Sequence, residues 1–179
     1  MILGLDISTS ITGASILDGN NKLLYCEAWD MRNKNHFPKL FDKANLVKGR
    51  LLDLSIQFPI KYIFIEQSLQ AFRPGFSSAK TLLTLAKFNG IVSYICQNDM
   101  GIEPEYIGAS TARKSNGIKV PRGEKAKQVV LQYVLDSEPS FMVEYTKQGN
   151  PKPGSYDRAD SLIIARAGYS LWKEKNSNY

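Results

Sequence analysis

Three short apolar segments open the chain and are separated by polar or glycine-containing turns. Residues 2–7, 12–17 and 22–29 are rich in aliphatic and aromatic side chains, and the DGNN stretch at 18–21 is a turn signal. Connections this short join antiparallel neighbours. The pattern therefore predicts an antiparallel series of three strands.

Apolar positions next recur at helical spacing. From residue 40 to residue 58 they are separated by steps of four and three, as on one face of an amphipathic helix, and Pro59 follows. The run YIFI at 62–65 ends at Glu66 and is typical of a strand buried on both faces. After a loop, a second helix is predicted over residues 79–97.

The second half of the chain completes the pattern. Residues 105–107 predict a short fifth strand, and residues 124–135 and 157–172 predict two helices with a Gly- and Pro-rich stretch at 149–154 between them. This order predicts an α/β fold in which helices flank a mixed five-stranded sheet. No repeat or second domain is evident, so we expect a single domain over residues 1–179.

The amino-acid composition limits the size class of the protein and the kind of metal site that it can form. The chain has 179 residues, of which 43% are hydrophobic and 22% charged, as expected for one globular domain. Its two cysteines, Cys26 and Cys96, do not form a C-x-x-C pair, and His36 is its single histidine. Because one chain cannot assemble a Cys/His zinc site from these residues, we expect any bound metal to be held by oxygen atoms.

The N-terminal segment points to an intracellular protein. The apolar run MILGL reaches Asp6 too soon for a signal peptide, and no run of about 18 apolar residues follows elsewhere. We therefore expect a cytoplasmic protein, in the host cytoplasm if the source is viral, with Cys26 and Cys96 as reduced thiols.

Positive charge is concentrated in two blocks. The formal net charge is +6, but residues 31–50 (the first basic block) and 109–128 (the second basic block) each hold six basic residues and one acidic residue. Such patches favour a polyanion such as nucleic acid. The first block is equally consistent with a solvated Lys-rich helix surface. In the second, Gly117, Pro121 and Gly123 predict a loop that follows a ligand.

Acidic residues stand where burial makes them costly. Asp6 closes the first predicted strand and Glu66 closes the fourth, and a buried strand accepts a carboxylate only when it is paired or lies at a site. If these strands are neighbours, both carboxylates converge at one edge of the sheet. Asp157 and Asp160 share one face of the last helix because they are three residues apart.

Each acid also has an ordinary structural interpretation. Asp6 could cap a turn, Glu66 could pair with Arg73, and Asp157 could be a helix N-cap. Taken together, four acids at three element ends would repel one another unless a divalent cation held them. Carboxylate oxygens suit Mg²⁺, so the pattern predicts phosphodiester hydrolysis with two ions, one activating water and one stabilising the leaving oxyanion.

Four segments, in order along the chain, resemble the motifs of the RuvC family of Holliday junction resolvases. They are GLDISTS at 4–10, IFIEQ at 63–67, the stretch from RK to GEK at 113–125, and DRADSL at 157–162. The resemblance implies a ribonuclease H-like fold, a homodimer, Mg²⁺ or Mn²⁺, and paired symmetric cuts in four-way DNA junctions. The acids that match the catalytic, metal-binding positions of the family are Asp6, Glu66, Asp157 and Asp160.

The resemblance also implies contacts to junction phosphates. Lys125 fits its motif well, and the earlier basic position is matched by either Lys114 or Arg113. We add Lys119 and Arg122 as candidate DNA-binding residues from the same block.

The wedge that unstacks bases departs from the family pattern. Cellular members usually have Phe three residues after the second acid, where this chain has Leu69, with Phe72 and Arg73 close behind. Leu69 or Phe72 is a candidate wedge, since aliphatic and aromatic side chains both unstack bases, and Arg73 is a further DNA-binding candidate. For Phe76, anchoring of the loop to the core is at least as good an interpretation as a wedge role. These departures resemble viral members more than cellular ones.

Two further functions compete with junction resolution. Residues 4–13 (GLDISTSITG) also resemble the phosphate-binding hairpin of sugar kinases and actin-like ATPases, although those proteins pair two copies of the fold and need roughly twice this length. A ribonuclease H-like nuclease acting on other branched DNA or on RNA/DNA hybrids is the second alternative. A non-catalytic junction-binding protein is disfavoured because all four acids are present.

A homodimer would suit a junction substrate. A four-way junction is two-fold symmetric, so a C₂ dimer can place one active site on each of two opposing strands. The resemblance places the interface on the helix at 79–97, where Gly90 permits close approach, while periodicity alone equally allows an ordinary core helix.

Overall fold

The computed structural model describes residues 1–67 and 78–177. The strands in this part of the chain are β1 (Ile2–Asp6), β2 (Ile11–Leu17), β3 (Leu23–Asp30), β4 (Tyr62–Glu66) and β5 (Glu105–Ile107). The helices are α1 (Leu40–Gln57), α2 (Ala79–Asp99), α3 (Ala109–Ser115), α4 (Ala126–Ser137) and α5 (Ser155–Ser177).

The strands form one mixed sheet in the order β3-β2-β1-β4-β5. The first three are antiparallel neighbours, whereas β4 runs parallel to both β1 and β5. This arrangement confirms the predicted mixed sheet that begins with three antiparallel strands. In the β1–β4 register Leu5 lies opposite Ile65, so Asp6 and Glu66, which follow them, lie at the same edge.

Two hydrophobic layers sandwich the sheet. Leu3 and Leu5 belong to the layer beneath α1 and α2, whereas Ile2 and Phe64 belong to the layer beneath α3, α4 and α5. Successive side chains of a strand point to opposite faces. Both faces are therefore covered, which explains why β1, β2 and the middle of β4 are buried almost throughout.

Helix α5 lies against the backbone of the sheet at two glycines. A Cβ atom on Gly13 would stand 1.9 Å from the carbonyl oxygen of Asp157, and one on Gly4 would stand 2.5 Å from that of Ser161. The hydroxyl groups of Ser15 and Ser161 are 2.7 Å apart within the same contact. Because Gly13 is paired with Asp6 across β1 and β2, this approach sets Asp157 beside the end of β1.

The main difference from the sequence prediction concerns the second basic block. A loop at residues 109–115 is wrong, because these residues form α3, anchored by the buried Ala112, whereas the helix predicted over residues 124–135 is present as α4. Gly117 and Gly123 have positive φ angles, which other residues seldom adopt. They lie in the segment between α3 and α4, where the loop prediction holds.

Two further expectations concern the state of the cysteines and the presence of a membrane-spanning segment. Cys26 and Cys96 are free cysteines. Among the helices that the structure describes, none is long and apolar enough to cross a membrane.

We expect Gly13→Ala to destabilise the fold. The added methyl group meets backbone atoms of α5 that cannot move independently, so the free energy of unfolding should fall by about 3 kcal/mol or more. Denaturant unfolding measures the change. Gly49→Ala is the matched control, because Gly49 is exposed on α1 with no atom within 4 Å of the added methyl, and it should raise stability by about 0.5–1 kcal/mol. Equal effects of the two substitutions would contradict the proposed packing constraint.

Candidate active site

The four acids singled out from the sequence come together at the edge of the sheet where β1 and β4 end. Asp6 ends β1, Glu66 ends β4, and Asp157 and Asp160 lie near the start of α5. Burial is the largest cause of the strong upward shift in the pKa of Asp6, and the charges of Glu66, Asp160 and Asp157 add to it. The structure therefore forms a single cluster, here called the acid cluster, from residues of three elements.

Burial and mutual repulsion both disfavour the charged forms of the acid cluster. Burial, followed by the charge of Glu66, raises the pKa of Asp160 to about 7. Burial also raises the pKa of Glu66 and that of Asp157. Because deprotonation is costly for each group, the cluster favours any cation that can neutralise it.

Lys127 is the basic residue most closely associated with the acid cluster. Its Nζ lies 3.9 Å from Oδ2 of Asp160, and its charge lowers the pKa of each of the four acids against the effects that raise it. Burial lowers the pKa of Lys127 itself, but the four carboxylates together raise it by more than burial lowers it, so the net shift is upward. The lysine therefore acts as a counter-charge to the cluster.

Lys127 belongs to the second basic block and is not among the site residues predicted from the sequence. It stands in the first turn of α4, two residues after Lys125, and that turn holds no acidic residue. A cation is unfavourable at a helix N-terminus because the helix dipole is positive there. This unfavourable position is the one signal in the sequence that marks Lys127, but it does not identify the acids as the partners of the lysine.

The acid cluster has the donor chemistry of a divalent-cation site. It consists of carboxylates, which Mg²⁺ prefers over nitrogen and sulfur ligands. As the side chains are oriented, no group of three or more His, Cys, Asp or Glu residues within the described ranges could hold a metal ion. The residues therefore fit such an ion by type and location, and coordination would require their carboxylates to turn towards a common centre.

The second basic block borders the acid cluster. Arg113, Lys114 and Lys119 line a cavity of about 290 Å³ between α3 and the following loop, and the exposed Arg122 and Lys125 lie in the rest of that loop and at the N-cap of α4. The charge of Arg113 lowers the pKa of the nearby Glu66 and Asp160. Arg113 therefore lies near the acids, and Lys114 and Lys119 share its cavity.

The first basic block reaches the acid cluster from the opposite side of the sheet. Arg32 follows β3, pairs with Asp30 at 2.6 Å, and contributes a positive charge that lowers the pKa of Asp157. Lys43 on α1 donates a hydrogen bond to the carbonyl oxygen of Thr9 in the β1–β2 turn. The first block follows β3 and the second follows β5, and these are the two outermost strands of the sheet. The basic blocks therefore flank the acids on both sides.

Three candidate DNA-binding residues fall outside the described ranges. They are Leu69, Phe72 and Arg73, which belong to the segment at 68–77.

Comparisons with known proteins place the fold. No protein-family model matches the chain, and no curated protein matches its sequence. RuvC of T. thermophilus in complex with a Holliday junction substrate aligns with a TM-score of 0.67 at 14% identity, over 96% of this chain and 94% of that one. A T. thermophilus RuvC structure gives a TM-score of 0.61 at 14% identity, over 97% and 96% of the two chains.

A third solved structure agrees with these two. The yeast mitochondrial Holliday junction resolvase Ydc2 aligns with a TM-score of 0.62 at 14% identity, over 99% of this chain and 80% of that one. The fold is therefore that of the RuvC-like, ribonuclease H-like proteins, as the sequence motifs implied.

We expect the metal-free protein to lose stability between about pH 4 and pH 7. The pKa of Asp160 is about 7 in the folded state against an ordinary value of 3.8, so the folded protein binds more protons in this window and the free energy of unfolding falls as the pH rises. A shift of this size is worth about 4 kcal/mol, or on the order of 10 °C in Tm for a chain of this length.

Thermal unfolding in EDTA from pH 5 to pH 8 tests this expectation. Asp160→Asn removes the titrating group, and its Tm should therefore vary less over the same range. A Tm that is independent of pH in the wild-type protein would show that the acid cluster does not carry the repulsion described above.

Proposed function

We propose that this protein is a structure-selective DNA endonuclease that resolves four-way junctions by metal-dependent phosphodiester hydrolysis. The observation that carries the proposal is the convergence of Asp6, Glu66, Asp157 and Asp160 at one edge of the sheet, in a fold shared with RuvC and Ydc2. Basic residues flank this edge on both sides. An acidic centre between positive surfaces is the arrangement that phosphodiester hydrolysis on DNA requires.

The four acids would hold Mg²⁺, with Mn²⁺ as a substitute, and we propose two ions per active site. When bound, such ions lower the pKa of an attacking water and stabilise the oxyanion that leaves. The acids contribute position and charge. Asp6 and Glu66 are fixed by the sheet, while Asp157 and Asp160 are fixed by the contact of α5 with Gly13. The rigid elements beneath them favour a preorganised site.

The basic residues would bind the DNA backbone. Arg113, Lys114 and Lys119 line one cavity, and Arg122 and Lys125 extend from the same loop and cap. Phosphate contacts of this kind position a nucleic acid without reading its sequence. Among the similar structures, that of T. thermophilus RuvC contains a Holliday junction substrate, which supports a branched DNA as the partner of this chain. Leu69, Phe72 and Arg73 stay candidates for the wedge and its neighbouring phosphate contact.

We also propose a homodimer that pairs two active sites across the symmetric junction. The surface that supports it lies on α2, where Leu83 and Tyr94 are 63% and 64% exposed although both are apolar or aromatic. Tyr94, Gly90 and Phe41 line an apolar groove between α2 and α1. Exposed apolar surface of this kind is typical of a protein interface.

We expect wild-type protein with Mg²⁺ to cut a four-way junction at paired positions on opposing strands. Asp6→Asn should slow cleavage by about 10³-fold, comparable with the loss of one essential electrostatic group in other hydrolases. The same variant should bind the junction as tightly as the wild type or more tightly, because it removes a negative charge near the phosphates. Denaturing gels measure cleavage, and a mobility-shift assay in EDTA measures binding.

Matched duplex, flap and RNA/DNA hybrid substrates complete this experiment. Preferential cutting of the flap or the hybrid would contradict junction resolution and favour a different ribonuclease H-like activity. Tight ATP binding without cleavage of any DNA would reject the nuclease assignment, and normal cutting by Asp6→Asn would reject the acid cluster as the site.

We expect the double charge reversal Arg122→Glu and Lys125→Glu to weaken junction binding and to flatten its dependence on salt. Each lost phosphate contact should reduce the slope of log K against log salt by about 1. The control is Lys22→Glu with Lys61→Glu, which makes the same charge change at exposed positions near the opposite end of β1 and β2. Equal slopes for the two double variants would mean that the loop is merely solvated surface.

A further inference from the structure

Lys127 lies against the acid cluster that is proposed to hold a divalent cation. Its Nζ is 3.9 Å from Oδ2 of Asp160, whose side chain is only 13% exposed, while the side chain of Lys127 is 65% exposed. The lysine therefore reaches from solvent towards a buried carboxylate. Its charge also lowers the pKa of Asp6, Glu66 and Asp157, so the electrostatic influence of the ammonium group extends from Asp160 to the whole acid cluster.

The local environment of α4 does not account for this lysine. Lys127 stands in the first turn of the helix, where the dipole repels a cation, and no acidic residue of that turn offsets the repulsion. The stabilising partners are instead the acids of β1, β4 and α5. The position of Lys127 therefore depends on the acid cluster and on the packing of α4 against α5.

We infer that Lys127 is a resident counter-cation of the acid cluster, and that a divalent cation must displace its ammonium group in order to bind. This inference rests on the proposed metal-dependent function. Two cations repel each other strongly at the short distances between metal ligands, so the ammonium group and the metal exclude each other. A four-carbon, largely exposed side chain can swing into solvent without disturbing the backbone.

The orientation of the acids agrees with this exchange. Within residues 1–67 and 78–177, no three acidic side chains converge closely enough to hold a metal. Lys127 pairs with one of them, Asp160, and a single ammonium charge interacts with carboxylates over a range of distances, whereas Mg²⁺ requires octahedral geometry at short distances. Departure of Lys127 would leave the carboxylates free to turn towards one centre.

The inference is tested by measuring Mn²⁺ binding to the wild-type protein and to Lys127→Met. Free Mn²⁺ is followed by its electron paramagnetic resonance signal at pH 8. The variant, which keeps the length of the side chain without its charge, should bind Mn²⁺ about fivefold more tightly, the effect expected of one partly screened charge near a site. Its Tm should also rise more on addition of Mg²⁺ than the wild-type Tm does.

Lys175→Met is the matched control. Lys175 also pairs with a carboxylate, that of Glu105 at 2.8 Å, and its side chain is 61% exposed. This variant makes the same change in net charge, and it should leave Mn²⁺ affinity within about twofold of the wild type because Lys175 lies in the last turn of α5, away from the acids. Lys127→Arg keeps the charge and should likewise retain affinity close to that of the wild type.

The outcomes separate this inference from the proposed function. Equal or weaker Mn²⁺ binding by Lys127→Met, with normal binding by the wild type, would overturn only the displacement of Lys127. Absence of Mn²⁺ binding by both proteins would overturn the metal-dependent function as well. If Lys127→Met does not fold in EDTA, folding restored by Mg²⁺ supports the inference, and failure to fold in saturating Mg²⁺ overturns it.

Discussion

The contact between α5 and the backbone of β1 and β2 is the constraint on which the candidate site depends. Gly13 and Gly4 leave no room for a Cβ atom, so the helix axis is fixed against the sheet at a distance that side chains would not permit. Asp157 lies at the first of these contacts and Asp160 one turn further along. A small displacement of α5 would separate both acids from Asp6. The geometry of the cluster is thus a consequence of packing in the layer beneath it.

The same packing creates an electrostatic cost. Four carboxyl groups at one partly buried edge repel each other, and the shift in the pKa of Asp160 to about 7 reflects burial first and this repulsion second. Protons, the ammonium group of Lys127 and a divalent cation can each relieve the repulsion. Because all three act on the same carboxylates, gain of one implies release of another. If the acid cluster binds a metal as proposed, then acidity, lysine position and metal affinity are linked properties of one site.

The sequence revealed those features that arise from local patterns. Asp6 and Glu66 each end an apolar run, and the ends of parallel neighbouring strands necessarily meet at one edge, so their convergence could be predicted. The roles of Gly13 and Lys127 could not, because each depends on a contact between elements that are far apart in the chain. The short α3 was missed for a different reason, since its seven residues adjoin glycines and a proline that indicate a loop.

Positive and negative charges occupy different positions around the candidate site. The net charge of +6 understates the positive surface, because the acid cluster is enclosed by basic residues that follow the two edge strands, Arg32 after β3 and Arg113 after β5. A polyanion approaching this edge experiences the flanking charges at long range and the acids only at contact. In the proposed function, the basic residues would set affinity and the acids would set reactivity, so each set could change without abolishing the other. Lys127 belongs to a basic block and yet pairs with Asp160, so it connects the two sets.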